Sequence, residues 1–128
     1  MPGRKILVID DEIHIVHVVS VKFRNNGYSV ITAENGDDGY SLACREKPDI
    51  IVTDFQMPGM TGLEFVEKLR VNKKTLDIPV IMLTARGFAV ADEEKEHLHI
   101  NGVLSKPFSP RELLHAVEDV LHESEVLK

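Results

Sequence analysis

The sequence predicts one α/β domain in which a parallel sheet of five strands carries helices on both faces. Short β-branched runs alternate along the chain with segments of helical length, which is typical of doubly wound folds. The run Ile50-Ile51-Val52-Thr53 shows no polar alternation, as expected for a strand buried on both faces of a parallel sheet. Asp54 follows this run directly, and open α/β sheets place their chemistry at the carboxyl ends of strands.

The first half of the chain contains three predicted strands and two predicted helices. We expect the strands at residues 5–9, 28–33 and 50–54. The first helix covers residues 13–23 and ends at Asn25-Asn26-Gly27, because glycine favours the left-handed helix cap. The second helix follows Asn35-Gly36 and ends near Lys47-Pro48, since the residue before proline disfavours helical dihedrals. One face of the first helix carries Ile13, Val16, Ser20 and Phe23.

The second half begins with the turn Met57-Pro58-Gly59 and a predicted capping box, Thr61-Gly62-Leu63-Glu64. This box starts a helix that runs to about Arg70 with Leu63, Val66 and Leu69 facing inwards. We then expect a strand at 79–83, a weakly patterned helix at 87–98 and a short strand at 102–105. A second capping box, Ser109-Pro110-Arg111-Glu112, starts the last helix. Its apolar stripe consists of Leu113, Leu114, Val117, Val120 and Leu121.

Composition limits the possible functions. The net charge of −6 disfavours direct binding of nucleic acid by this chain. The single Cys44 excludes an internal disulfide and fits a reducing cytoplasm, where we expect the protein. We expect no membrane association, because no apolar run approaches the roughly 20 residues of a membrane span. A length of 128 residues fits one domain, with its core at about 4–122.

Polar side chains stand where four of the predicted strands end: Asp10 and Asp11, Asp54, Thr84, and Lys106. In a parallel sheet these ends share one edge, so the side chains can meet. Three carboxylates within about 5 Å repel by roughly 3 kcal/mol per pair at an effective dielectric of 20. A hard divalent cation offsets that repulsion, and Mg²⁺ accepts one to three carboxylates plus waters.

This group of residues suits phosphoryl transfer. Asp54 can attack phosphorus and form an aspartyl phosphate, while Lys106 and Mg²⁺ neutralise the phosphoryl oxygens and Thr84 donates to one of them. We expect Asp10, Asp11, Asp54 and the backbone carbonyl of Gln56 as metal ligands.

Four motifs in order resemble the receiver domain of two-component response regulators. Val8-Ile9-Asp10-Asp11-Glu12 is similar to its acidic pair, and the segment 52–62 to its phosphoacceptor region. Leu83-Thr84-Ala85 is similar to its switch hydroxyl, and Ser105-Lys106-Pro107-Phe108 to its lysine motif. The resemblance implies a flavodoxin-like fold with strand order 2-1-3-4-5 and a cis peptide before Pro107.

The resemblance also implies a signalling role. A sensor histidine kinase or a histidine phosphotransfer protein would supply the phosphoryl group to Asp54, and a downstream protein target or an output domain would respond. Slow self-catalysed dephosphorylation is implied, without turnover of an external metabolite as by an enzyme. Gln56 and Arg86 flank the site and, by this analogy, tune the lifetime of the phosphorylated state.

Two questions stay open at this point. Val103 occupies the position where the family usually has a switchable aromatic residue, which predicts weaker or differently routed coupling from Asp54 to the fourth helix and fifth strand. Few residues follow the last predicted helix, so the chain is either a free-standing receiver or a fragment of a longer regulator. Two other functions fit the sequence less well. A phosphohydrolase with an Asp-x-Asp motif lacks support, because Asp10 and Asp11 are adjacent. A degenerate binding module conflicts with the complete set of site residues.

Overall fold

A computed structural model describes residues 3–85 and 90–126. It contains a five-stranded parallel sheet with the strand order β2-β1-β3-β4-β5, as predicted. The strands and helices alternate as β1 (Lys5–Ile9), α1 (Ile13–Arg24), β2 (Ser29–Ala33), α2 (Gly36–Glu46), β3 (Ile50–Asp54), α3 (Gly62–Arg70), β4 (Val80–Thr84), α4 (Asp92–Leu98), β5 (Gly102–Ser105) and α5 (Pro110–Val126).

Two apolar clusters pack on opposite faces of the sheet. On one face, Leu7 and Ile51 of the sheet contact α3 through Phe65. On the other face, Val8 and Val52 contact α1 and α5. All five residues of β3 and of β4 are buried, which is why their sequences lack polar alternation.

Both predicted capping boxes are present. The Thr61 hydroxyl accepts a hydrogen bond from the Glu64 amide at 3.1 Å, and the Glu64 carboxylate accepts one from the Thr61 amide at 2.9 Å. The Ser109 and Glu112 pair repeats this arrangement at 3.1 and 3.0 Å. The predicted inward stripe of α5 is confirmed, since all five of its apolar residues are buried.

Several predicted boundaries and faces need correction. Strand β2 begins one residue late, because Tyr28 packs edge-on against Phe23 with ring centroids 5.0 Å apart. Strand β4 covers residues 80–84 rather than 79–83, and Pro79 cannot donate to the ladder. The buried face of α1 consists of Val19, Ser20 and Phe23, whereas Ile13 is 64% exposed.

The fourth helix is shorter than predicted. Residues 87–89 of the predicted helix lie outside the described part of the chain. Val90 is buried and not helical, and Ala91 has an extended backbone and serves as the N-cap. The helix therefore begins at Asp92, where three acidic residues occupy the first turn and interact favourably with the helix dipole. Leu98 is its buried residue.

Arg70 joins the ends of several elements. Its guanidinium donates hydrogen bonds to the carbonyls of Leu98 and His99, at the C-terminal end of α4, at 2.8 and 3.1 Å. It also donates to the carbonyls of Leu76 and Ile78, in the segment before β4, at 2.9 and 2.8 Å. The bonds to Leu98 and His99 satisfy carbonyl groups that the C-terminal end of α4 leaves without intrahelical partners.

Within the described ranges, no helix is both long enough and apolar enough to cross a membrane.

Candidate functional site

The site forms at the carboxyl edge of the sheet, where β1 and β3 end side by side. Ile9 is in register with Thr53, so Asp10 and Asp54 leave the sheet as neighbours. Both carboxylates are buried. Lys106 follows β5, and its backbone is anchored to β4 because its amide donates to the Thr84 carbonyl at 2.8 Å. The Lys106–Pro107 peptide is cis. The structure thus confirms the predicted cis peptide.

The ammonium group of Lys106 is surrounded by three carboxylates. Its Nζ lies 2.8 Å from Glu12 Oε1, 3.1 Å from Asp10 Oδ2 and 3.4 Å from Asp54 Oδ2. The Lys106 side chain is only 17% exposed. The ammonium of Lys106 is therefore largely shielded from water and interacts mainly with the carboxylates of Asp10, Glu12 and Asp54.

The electrostatics of this group follow from burial and crowding. Burial, followed by the negative charge of Asp10, raises the pKa of Asp54 from 3.8 to about 6, although Lys106 and the Gln56 amide oppose the change. Burial also raises the pKa of Asp10, against a hydrogen bond from the Glu12 amide and the charge of Lys106. Burial lowers the pKa of Lys106, but Glu12, Asp10 and Asp54 more than compensate and raise it overall.

The other predicted site residues are placed as follows. Asp11 and Gln56 line the same cavity as Asp54 and Lys106, a space of about 400 Å³. Thr84 ends β4 and is fully buried; within the described residues its Oγ1 makes no hydrogen bond. Arg86 lies outside the described residues.

Glu12 was absent from the predicted site residues. Asp10, Glu12 and Asp54 offer ligand oxygens that all lie within 4.8 Å of one another, whereas the expected third carboxylate was that of Asp11. Glu12 has an extended backbone, with φ −87° and ψ 103°. The chain bends at Asp11, and the Glu12 amide donates to Asp10 Oδ1 at 2.9 Å, which keeps Glu12 beside the buried carboxylate. No local sequence pattern distinguishes Glu12 from Asp11 as the residue that turns towards Lys106.

The loop after β3 fits closely against the end of the strand. Gly59 has a φ of 81°, which glycine adopts without strain. The Gly62 amide donates to the Phe55 carbonyl at 2.7 Å. A Cβ atom at Gly62 would lie 2.6 Å from the Asp54 carbonyl oxygen, so only glycine permits this approach of α3 to the Asp54 backbone.

The donor set suits a hard divalent cation. Carboxylate oxygens converge from Asp10, Glu12 and Asp54, and Asp11 lines the adjoining cavity. Oxygen ligands of this kind are preferred by Mg²⁺. After burial, the negative charge of Asp10 is the main cause of the raised pKa of Asp54, and a cation at this edge would reduce that repulsion. The residues therefore fit Mg²⁺.

Residues 6–118 match the model of the response regulator receiver domain. The chain belongs to the response regulator receiver family. Receiver domains act in two-component signalling, where they are phosphorylated on an aspartate and control an output, and they bind Mg²⁺ at an acidic pocket.

Relatives of this receiver domain include transcriptional regulators. It is 36% identical over 126 residues to the phosphate regulon transcriptional regulatory protein PhoB of Pseudomonas aeruginosa, covering 97% of this chain and 54% of that protein. It is 40% identical over 129 residues to the alkaline phosphatase synthesis transcriptional regulatory protein PhoP of Bacillus subtilis, covering 97% and 51%. The receiver chain spans about half the length of these relatives.

The fold is also similar to that of solved receiver structures. The chemotaxis response regulator CheY4 of Vibrio cholerae superposes with a TM-score of 0.85 at 35% sequence identity, covering 92% of this chain and 98% of that one.

Proposed function

We propose that Asp54 of this receiver domain accepts a phosphoryl group from a phosphohistidine. The observation that carries the proposal is the position of the Lys106 ammonium, 3.4 Å from Asp54 Oδ2 and 3.1 Å from the buried Asp10 carboxylate. A buried carboxylate that faces a buried cation, at the open edge of a sheet, is a nucleophile with charge compensation already in place.

The chemistry requires one bond to form and one to break. An oxygen of the Asp54 carboxylate forms the new bond to phosphorus, while the bond from phosphorus to the histidine nitrogen breaks and the imidazole keeps its electron pair. The Lys106 ammonium neutralises charge on the phosphoryl oxygens. The Thr84 hydroxyl, which is buried without a hydrogen-bond partner in the described part of the chain, donates to one of these oxygens.

Asp10, Asp11, Asp54 and the Gln56 carbonyl would hold Mg²⁺ in this reaction, with Glu12 near enough to contribute. When bound, Mg²⁺ supplies positive charge that lowers the repulsion between the carboxylates and an incoming phosphoryl group.

An apolar groove beside the site suits a helical partner that carries the phosphohistidine. The groove has a volume of about 580 Å³, and Lys106 and Glu12 stand at its edge. Ile15, Val18 and Phe108 line it, and Val18 is 48% exposed. An apolar helix face could pack here and bring its histidine to Asp54. A sensor histidine kinase or a histidine phosphotransfer protein fits this description, and a protein target or an output domain would read the phosphorylated state.

The proposal is tested by incubation of the protein with Mg²⁺ and acetyl phosphate, followed by intact mass measurement. We expect one phosphoryl adduct on the wild-type chain and none on Asp54→Asn. Asp119, which is exposed on α5, provides a matched control. Asp119→Asn should form the adduct at the wild-type rate.

Other outcomes would contradict the proposal. An adduct that persists in Asp54→Asn would place the acceptor elsewhere. Release of phosphate from an ester substrate over many turnovers, without a stable adduct, would indicate a phosphohydrolase. An inert wild-type chain would indicate a binding module.

A further inference from the structure

We propose that Glu12 is a positioning residue, which holds the Lys106 ammonium in the resting state and releases it to the phosphoryl group. The inference rests on the proposed phosphorylation of Asp54 and concerns how the same site is regulated. In this scheme the ammonium exchanges one carboxylate partner for a phosphoryl oxygen. Glu12 thereby sets how readily the receiver is phosphorylated.

The first argument is the position of the ammonium. Three carboxylates lie within 3.4 Å of Lys106 Nζ. The contact with Glu12 is the shortest, at 2.8 Å, and it is a hydrogen bond, whereas the contact with Asp54 is the longest. Glu12 therefore holds the ammonium away from Asp54, where a phosphoryl oxygen would compete for it.

The second argument concerns which carboxylate gives way. Asp10 is fully buried and would lose its cation inside the protein, where an unpaired carboxylate is costly. Asp54 is the group that receives phosphorus. The Glu12 side chain is 57% exposed, so water replaces Lys106 as its partner at little cost. Glu12 is therefore the partner that is exchanged.

The third argument is that the Glu12 side chain is committed to Lys106. Glu12 is the N-cap residue of α1, yet its side chain forms no capping hydrogen bond. Its backbone amide donates to Asp10 Oδ1 at 2.9 Å, which fixes the residue next to the buried carboxylate. The side chain then reaches across the edge of the sheet to a residue 94 positions further along the chain. A side chain that served only the helix would not make this contact.

The experiment measures phosphorylation by acetyl phosphate at saturating Mg²⁺ in wild type, Glu12→Gln and Glu12→Asp. We expect both variants to form the adduct about threefold to fivefold faster, because the competing ion pair is lost. Aspartate keeps the charge but is one methylene too short for the contact. Beryllofluoride, which mimics the phosphoryl group, should bind both variants more tightly by a similar factor, as followed by ¹⁹F NMR at saturating Mg²⁺.

Glu34→Gln provides the control, since Glu34 is exposed and follows β2 at the same edge of the sheet. It should react at the wild-type rate. Equal or slower phosphorylation of Glu12→Gln would overturn the exchange. Acceleration in Glu12→Gln but not in Glu12→Asp would also overturn it, because charge alone would then explain the effect. A wild-type chain that forms no adduct and binds no beryllofluoride would refute the proposed function itself.

Discussion

Replacement of Asp54 by asparagine should stabilise the metal-free protein at neutral pH, although it should abolish phosphorylation. Burial raises the pKa of Asp54 from 3.8 to about 6 in the folded protein. Each pH unit of this interval is about 1.4 kcal/mol, so the ionised carboxylate costs the folded state up to about 3 kcal/mol at pH 7. Asparagine resembles the protonated acid and avoids this cost.

The sign of the pH dependence follows from the raised pKa. A group whose pKa is higher in the folded state contributes its full stability below the unfolded value and loses it as pH rises through the folded value. Asp54 therefore favours folding below about pH 4 and ceases to do so above about pH 6. The free energies of unfolding of wild type and Asp54→Asn should agree at the acidic end and diverge towards pH 7.

Urea denaturation in EDTA, repeated at half-unit intervals between pH 4 and pH 7.5, measures this difference. Asp119→Asn, on the exposed face of α5, should change stability by no more than about 0.5 kcal/mol at any pH. Added Mg²⁺ should stabilise wild type by about RT ln(1 + [Mg²⁺]/Kd) and should narrow the difference in stability from Asp54→Asn. The reasoning would be refuted if the free energies of unfolding of wild type and Asp54→Asn changed with pH in parallel. It would also be refuted if Asp54→Asn were less stable than wild type at pH 7.

Three further predictions concern residues around the site. Gly62→Ala should destabilise the fold by about 1–3 kcal/mol in urea denaturation, because the new Cβ would lie 2.6 Å from the Asp54 carbonyl oxygen; an unchanged midpoint would contradict this. Thr61→Ala should cost about 1 kcal/mol by the same measurement, through loss of the capping box, and a cost near zero would mean that solvent replaces the cap. Val103 occupies the position where the family usually has a switchable aromatic residue. Beryllofluoride should therefore shift the NMR signals of α4 and β5 less in wild type than in Val103→Tyr. Shifts of equal size in both proteins would show that the aromatic residue is dispensable.

Local chemistry made much of the fold predictable from the sequence. Thr61 and Ser109 each stand three residues before a glutamate, and this spacing alone identifies the start of a helix. The uninterrupted apolar runs Ile50-Ile51-Val52 of β3 and Val80-Ile81-Met82-Leu83 of β4 indicate burial on both faces, as in a parallel sheet between helices. Because the carboxyl ends of parallel strands share one edge of the sheet, the sequence also predicted that Asp54 and Lys106 lie close together.

The remaining details depend on contacts that no local pattern encodes. Helix α1 is apolar nearly all round, so its sequence did not reveal that Ile13 faces outward. Three acidic residues follow β1, and only the path of the backbone decides that Glu12 turns towards Lys106. Helix α4 starts after Val90, which is buried in the core, and Ala91, which has an extended backbone; neither feature is visible in the local sequence.

The four carbonyl bonds of Arg70 have a mechanical consequence. They fasten one end of α4 to the segment that leads into β4, and the other end of the helix lies towards the edge that carries Thr84. A helix whose C-terminal end is held by hydrogen bonds can rotate about that end, so the displacement of a residue increases with its distance from Arg70. We therefore expect any displacement of α4 that follows phosphorylation of Asp54 to be largest near Asp92 and smallest near Leu98.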